Sequence, residues 1–240
     1  MCDFIVAEDE IKMTFQIALV GKDGFIIASD RKAVRGGEPT YAGAYQMRTT
    51  SDMRKILVSE NHNLVCAYAG NQIVSWVAER LVKSLKDGVG SDPSNLLQDK
   101  IGEIIAAFPS QLQENITGQF IVAVPGTSQL WEVSFIAGQV VVRPVSDHLF
   151  GGDRGNSGVF FAERYSAEIN DRTVDELKLL GAFTVLEGGF LNPTGVGGLD
   201  ILVSKHNEKS RFLDDGELQL LCDRAQSLHK ILTVELFRQH

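Results

Sequence analysis

The chain has 240 residues, 44% of them hydrophobic and 22% charged, and a chain of this length can bury about 70 to 75% of its unfolded surface, which excludes disordered and collagen-like classes. Its formal net charge of -8 argues against nucleic-acid and membrane-surface partners, both polyanions that require clustered Lys and Arg.

Two short apolar runs, 14–20 (TFQIALV) and 25–29 (FIIAS), flank Gly21-Lys22-Asp23-Gly24 and predict a β-hairpin. After a Gly- and Thr-rich stretch, KILVSENHNLVCAYAG predicts a second hairpin turning at Glu60 to Asn63, and the two hairpins are expected to share one sheet. From Asn71 the period becomes helical: Ile73, Val74, Val77, Leu81, Val82 and Leu85 mark one helix, ended at Asp87-Gly88. Ser91-Asp92-Pro93 opens a second helix with Leu96, Leu97, Ile101, Ile104, Ile105 and Phe108 on one face. Strands are predicted again in GQFIVAV, SQLWEVSFIAG and QVVVRPV, the last two meeting at Ala137-Gly138. Helices are expected over 157–168 and 173–186, the second opened by a capping box at Thr173 to Glu176, followed by a strand over 199–204 and a helix over 214–237. Hairpins with helices arriving in pairs suit a layered α+β domain, two face-packed sheets between two helical layers.

The sequence contains no GxxxxGK[ST], GxGxxG after a strand, HExxH or GxSxG. The histidines (His62, His148, His206, His229, His240) show no i, i+4 pair, and Cys2, Cys66 and Cys222 show no CxxC spacing, so no metal, cofactor or disulfide framework is expected. Cys66 and Cys222 read as packing residues, and Asp200, within a strand, as a structural hydrogen-bonding group. The opening MCDFIVAEDEIK has no basic segment and no apolar run reaches ~18 residues, so neither a signal peptide nor a membrane span is expected; a cytoplasmic location fits, and the sequon at Asn115 is expected to be idle.

What remains is carried by the first hairpin. Thr14 begins its first strand and Asp30 closes its second, so an antiparallel ribbon makes them neighbours; Lys55 opens the next apolar strand. A threonine hydroxyl is a weak nucleophile unless a base takes its proton, and the α-amino group of the same residue, if free, has a suitable pKa. A nearby lysine lowers that amine's pKa further, and an aspartate holds the lysine in place.

The segment TFQIALVGKDGFIIASDRKAV, with Thr14, Gly24, Ala28, Asp30 and Arg31 in register, resembles the opening of a proteasome-type β subunit. The likeness continues through Lys55-Ile56, CAYAGN (66–71) and VGGLDILV (196–203). This resemblance implies the four-layer αββα sandwich of N-terminal-nucleophile hydrolases over residues 14–240, with 1–13 as an N-terminal extension or propeptide. It implies Thr14 as nucleophile and, through its freed amine, as base; Asp30 and Lys55 as electrostatic partners; and the amide of Ala67 near the oxyanion hole. Val65 and Ala33 are candidate walls of an apolar pocket. Substrates would be unfolded polypeptides, the assembly a homo-oligomer of stacked rings with a possible ring ATPase partner, and the activity that of a threonine endopeptidase.

Two departures from the family pattern favour a non-catalytic structural subunit as a second reading. Gly152, next to Asp153, stands where active members carry a serine, and Asn192 where they carry an aspartate. Thr14 also follows Met13, so its amine is free only after removal of residues 1–13 or if translation starts at Met13. A third reading makes Cys2 the nucleophile of an amide hydrolase.

Overall fold

The computed structural model describes residues 14–35, 48–50, 53–85, 89–90, 92–136, 139–152, 157–193 and 196–237; the readings of Cys2, Met13, the Ala137-Gly138 turn and Asp153 lie outside them. Strands β1 (Phe15–Gly21) and β2 (Gly24–Ser29) form the first hairpin, and β3 (Ala33–Arg35) pairs with β4 (Arg48–Thr50). The second hairpin is β5 (Ile56–Val58) with β6 (Val65–Gly70), followed by helices α1 (Gln72–Ser84), α2 (Pro93–Ala106) and the one-turn α3 (Ser110–Gln113). Then come β7 (Gly118–Ala123), β8 (Leu130–Ile136), β9 (Gln139–Val145), β10 (His148–Gly152), α4 (Ser157–Glu163) and α5 (Val174–Leu191). Strands β11 (Asp200–Lys205) and β12 (Arg211–Phe212) and helix α6 (Asp215–Phe237) close the chain.

The expectation that both hairpins share a sheet is corrected. One five-stranded sheet runs β10-β1-β2-β11-β12, and a separate one runs β5-β6-β7-β8-β9. The neighbouring strands of both sheets pair antiparallel, as in Ile17 opposite Ala28 and Tyr68 opposite Phe120. The reason is visible in β1, where every residue is buried: a strand covered on both faces reads as a continuous apolar run, and such a run does not reveal which neighbour it faces.

Alternation sorts those residues to two sides. Ala18, Val20, Phe25 and Ile27 join Ile56, Val65, Ala67 and Ile121 in a core between the sheets. Phe15, Ile17, Leu19 and Ile26 pack with Leu177, Val185 and Leu221 from α5 and α6. On the far side of the second sheet, Cys66, Tyr68, Phe120 and Trp131 pack with Val77, Leu81, Leu97 and Ile101 of α1 and α2. Cys222 is half-buried at the edge of the α5–α6 core.

The first hairpin is also tied to α5 through its turn. Asp23 Oδ1 accepts the Val174 N–H (2.7 Å), one of the amides that a helix start leaves without an internal partner. Gly24, at φ 147°, lies so close to β11 that a Cβ there would meet the Ser204 carbonyl oxygen at 2.0 Å, so the turn admits only glycine. The expected capping box of α5 is present, with Thr173 and Glu176 bonding reciprocally. Helix α5 runs through Gly188-Gly189 to Leu191, beyond the break expected near residue 186, because its core face continues through buried Val185 and Gly188. The helix expected over 157–168 stops at Glu163 and resumes as a 3-10 turn over 166–171, a segment rich in short polar side chains that compete for backbone bonds.

Candidate active site

The hairpin register, with Gln16 opposite Ser29, brings the start of β1 beside the end of β2. Pairing extends one step further, since the Asp30 N–H donates to the Phe15 carbonyl (3.0 Å). The Asp30 side chain returns that contact: Oδ1 accepts the Phe15 N–H at 2.9 Å and the Lys55 ammonium at 2.7 Å, while Oδ2 accepts the Lys32 N–H at 3.1 Å. Lys55 immediately precedes β5 and is held from both ends. Its carbonyl accepts the Tyr68 N–H (3.0 Å), and its ammonium also donates to the Lys32 carbonyl (2.5 Å).

Thr14, Asp30 and Lys55 are 3%, 0% and 3% exposed, so the ion pair is removed from water, where charge pairs interact far more strongly than at a surface. Burial pushes the Asp30 carboxyl above its ordinary range, while Lys55 and the Phe15 and Lys32 amides pull it back. Asp30 bonds to the residue after Thr14, so it fixes the backbone on which Thr14 is carried.

Gly152 of β10 flanks the other side, with Phe15 as its partner one residue away from Thr14. Its φ is 85°, and a Cβ at this position would lie 1.8 Å from the Thr14 carbonyl oxygen and 3.4 Å from the Ala69 Cβ. The glycine where the resemblance leads one to expect serine is therefore demanded by the local backbone, which leaves no space for a side chain. Asn192 closes α5, its N–H donating to the Gly188 carbonyl (3.0 Å).

Ala67 is fully buried in β6, opposite Ile56 on one side and Ile121 on the other, with its side chain in the core between the sheets. In this register the Tyr68 N–H faces Lys55; amides alternate in direction along an antiparallel strand, so the Ala67 N–H faces β7. It is Ala69, nearer the strand end, whose side chain approaches Gly152.

Several neighbours escaped the sequence reading. Gln16 Nε2 crosses from one sheet to the other to donate to the Tyr68 carbonyl (2.8 Å) and also to Ser29 Oγ (3.2 Å). Gln119 Nε2 makes the reverse crossing to the Phe150 carbonyl (2.8 Å). A polar residue inside the apolar run FQIALV was the available signal for Gln16. Asp200, opposite Ser29 in β11, accepts Arg54 Nε at 3.4 Å and lies 3.8 Å from Arg31 Nη1, while Arg54 also sits 4.1 Å above the Phe212 ring. The structural role expected for Asp200 is thus ionic. Lys32, within DRK, carries no local sequence signal, yet its N–H donates to Asp30 and its carbonyl accepts from Lys55.

Among the described residues, no three His, Cys, Asp or Glu side chains converge as a metal site, and no helix is long and apolar enough to cross a membrane. No family model and no curated protein matches the chain. Among solved structures it is similar to a Gly-1 mutant of Anbu from Hyphomicrobium sp. strain MC1, at 15% sequence identity and a TM-score of 0.61, over 94% of this chain and 100% of that one. At this identity the likeness is one of fold alone: two antiparallel five-stranded sheets with helices packed on them.

Proposed function

We propose that the protein is a threonine peptidase subunit of the proteasome type, built as an αββα sandwich and active through Thr14 once that residue is N-terminal. The observation that carries this reading is the buried Lys55–Asp30 pair, bonded through Phe15 to the strand that begins beside Thr14. The freed α-amine takes the proton of the threonine hydroxyl as its oxygen attacks the peptide carbonyl. The Lys55 ammonium disfavours a second positive charge nearby and so keeps the amine neutral and basic, while Asp30 compensates Lys55. The same amine returns the proton to the departing amine of the substrate, and water releases the acyl group.

The proposed substrates are unfolded polypeptides, and the proposed assembly is a homo-oligomer of stacked rings in the cytoplasm, with a ring ATPase as a candidate partner. The reading is tested by peptide hydrolysis: Thr14→Ala is expected to lower turnover by about a thousandfold or more, because removal of a nucleophile leaves only the residual catalysis of binding and oriented donors. Equal turnover of parent and variant contradicts it.

One observation favours a second reading, a structural subunit of the same kind of assembly. The space that a serine side chain would fill at position 152 is taken by the Thr14 carbonyl, so no hydroxyl from that position supports the amine. Protein from the native source that retains residues 1–13 and hydrolyses no peptide selects this alternative.

A further inference from the structure

A cavity of about 550 Å³ lies behind the candidate site, between α5, α6 and the chain leading into β11. Its volume falls in the range of ordinary small-molecule sites, roughly 300 to 1,000 Å³. The walls are apolar, with Val185, Phe190, Val196 and Ala225 among them, and Phe190 is two-thirds exposed at 67%. Two cations line it, Lys32 from the segment after β2 and Lys230 from α6. The Lys32 ammonium is held by the Pro193 carbonyl, a neutral acceptor. The wall also has a carboxylate, Glu187, whose Oε1 is hydrogen-bonded to His229 Nδ1 at 2.7 Å.

We propose that this cavity is a second ligand site, taking an apolar chain that ends in a carboxylate, with the head at Lys32 and Lys230 and the body against Phe190, Val196 and Ala225. Fatty carboxylates and the carboxy ends of short apolar peptides share that chemistry. The site is joined to the candidate active site by one residue: the Lys32 carbonyl accepts the Lys55 ammonium and the Lys32 N–H donates to Asp30. A carboxylate that draws the Lys32 ammonium away from Pro193 acts on the backbone that holds the Lys55–Asp30 pair. Binding stands independently of Thr14 chemistry; only its effect on turnover rests on the peptidase reading.

The test is calorimetric titration of the full chain carrying Thr14→Ala, so that binding is read without catalysis. The probes are octanoate, octylamine, acetyl-Leu-Leu with a free carboxylate, and the amide of the same dipeptide. Hydrogen bonds in which both donor and acceptor are charged are the stronger ones, so the carboxylate probes are expected to bind about tenfold more tightly than their cationic or amide counterparts. Octanoate alone, or the dipeptide acid alone, identifies the source. Lys230→Gln is expected to remove most of that preference, and Gln226→Trp, at an exposed position on the cavity wall, is expected to block both probes while leaving the fold intact by circular dichroism. Equal binding of acids and their uncharged or cationic counterparts overturns the site, as does undiminished binding to folded Gln226→Trp. In the parent protein turnover is expected to change over the same concentration range as binding; binding with unchanged turnover overturns the link through Lys32.

Discussion

Asp30 carries two kinds of bond, an ionic one to Lys55 and backbone bonds to Phe15 and Lys32, and the two have separable consequences. Removing one partner of a buried pair leaves the other charge uncompensated, a loss of about 3 to 5 kcal/mol. Asp30→Asn is therefore expected to destabilise the protein by about that amount in urea unfolding, and adding Lys55→Met is expected to return part of it; a single variant as stable as the parent contradicts the pair. At Gly152, substitution by Ala or Ser must either displace the Thr14 backbone or abandon a φ of 85°. Strain of that kind costs of order 1 to 3 kcal/mol before any steric term. Gly152→Ser is expected to lower stability rather than restore a missing hydroxyl, a point that thermal unfolding and peptide hydrolysis on the same sample check together.

Among the elements, α6 begins at an electrostatic knot. Glu217 binds both guanidinium nitrogens of Arg211 (2.6 and 2.8 Å) and accepts the Asp214 N–H (3.2 Å), while Asp214 accepts the Glu217 N–H (2.8 Å). The Arg211 guanidinium holds the Glu217 carboxyl down at about 2, and Lys178 and Lys205 hold Asp175 at about 2 as well. Both pKa values lie below those of the unfolded chain, near 4.3 for Glu and 3.9 for Asp, so the unfolded state binds protons first. The stability they contribute is present above about pH 4.5 and is lost as pH falls toward 2. Glu217→Gln is expected to flatten the acid limb of a stability–pH curve; an unchanged limb contradicts the assignment. Elements with a strong local signal were legible in the sequence: the Asp23-Gly24 turn, the Thr173 capping box, and the periodicity of α1 and α2. Strand β10 was not, because HLFGG carries two glycines, and only its pairing with β1, as in Ile17 opposite Phe150, makes it a strand. Leu96, assigned by spacing to the inner face of α2, is partly exposed at 37%.

On the scale of the molecule, the hairpin pattern gave the strand partners but not the sheet partners. Both β1 and β6 are apolar on two faces, so which face meets the other sheet depends on tertiary packing that period-2 alternation does not encode. The same limit applies to the site. Spacing within one hairpin placed Asp30 beside the start of β1, but Lys55 reaches it from the second sheet rather than from the shared sheet that the sequence suggests, and the cross-sheet bonds of Gln16 and Gln119 had no local signature. Helix α6 leaves Leu220, Ile231 and Val234 exposed, on a flank turned away from the cavity-lining Ala225 and His229 by the 100° step of the helix. Ile231 and Val234 are exposed apolar neighbours three residues apart on that flank, and Ile231→Glu with Val234→Glu is expected to shift the protein to smaller species in sedimentation velocity; an unchanged distribution removes this face from the proposed assembly.

The central claim is that a free amine on Thr14 is the base for its own hydroxyl. The most direct measurement compares two forms of one protein, a chain whose first residue is read by sequencing as Thr14 and the same chain retaining residues 1–13, in hydrolysis of an unstructured peptide. The expected result is turnover only by the form that begins at Thr14, abolished there by Thr14→Ala. Equal turnover by the extended chain, with its amine locked in the Met13–Thr14 peptide bond, contradicts the claim.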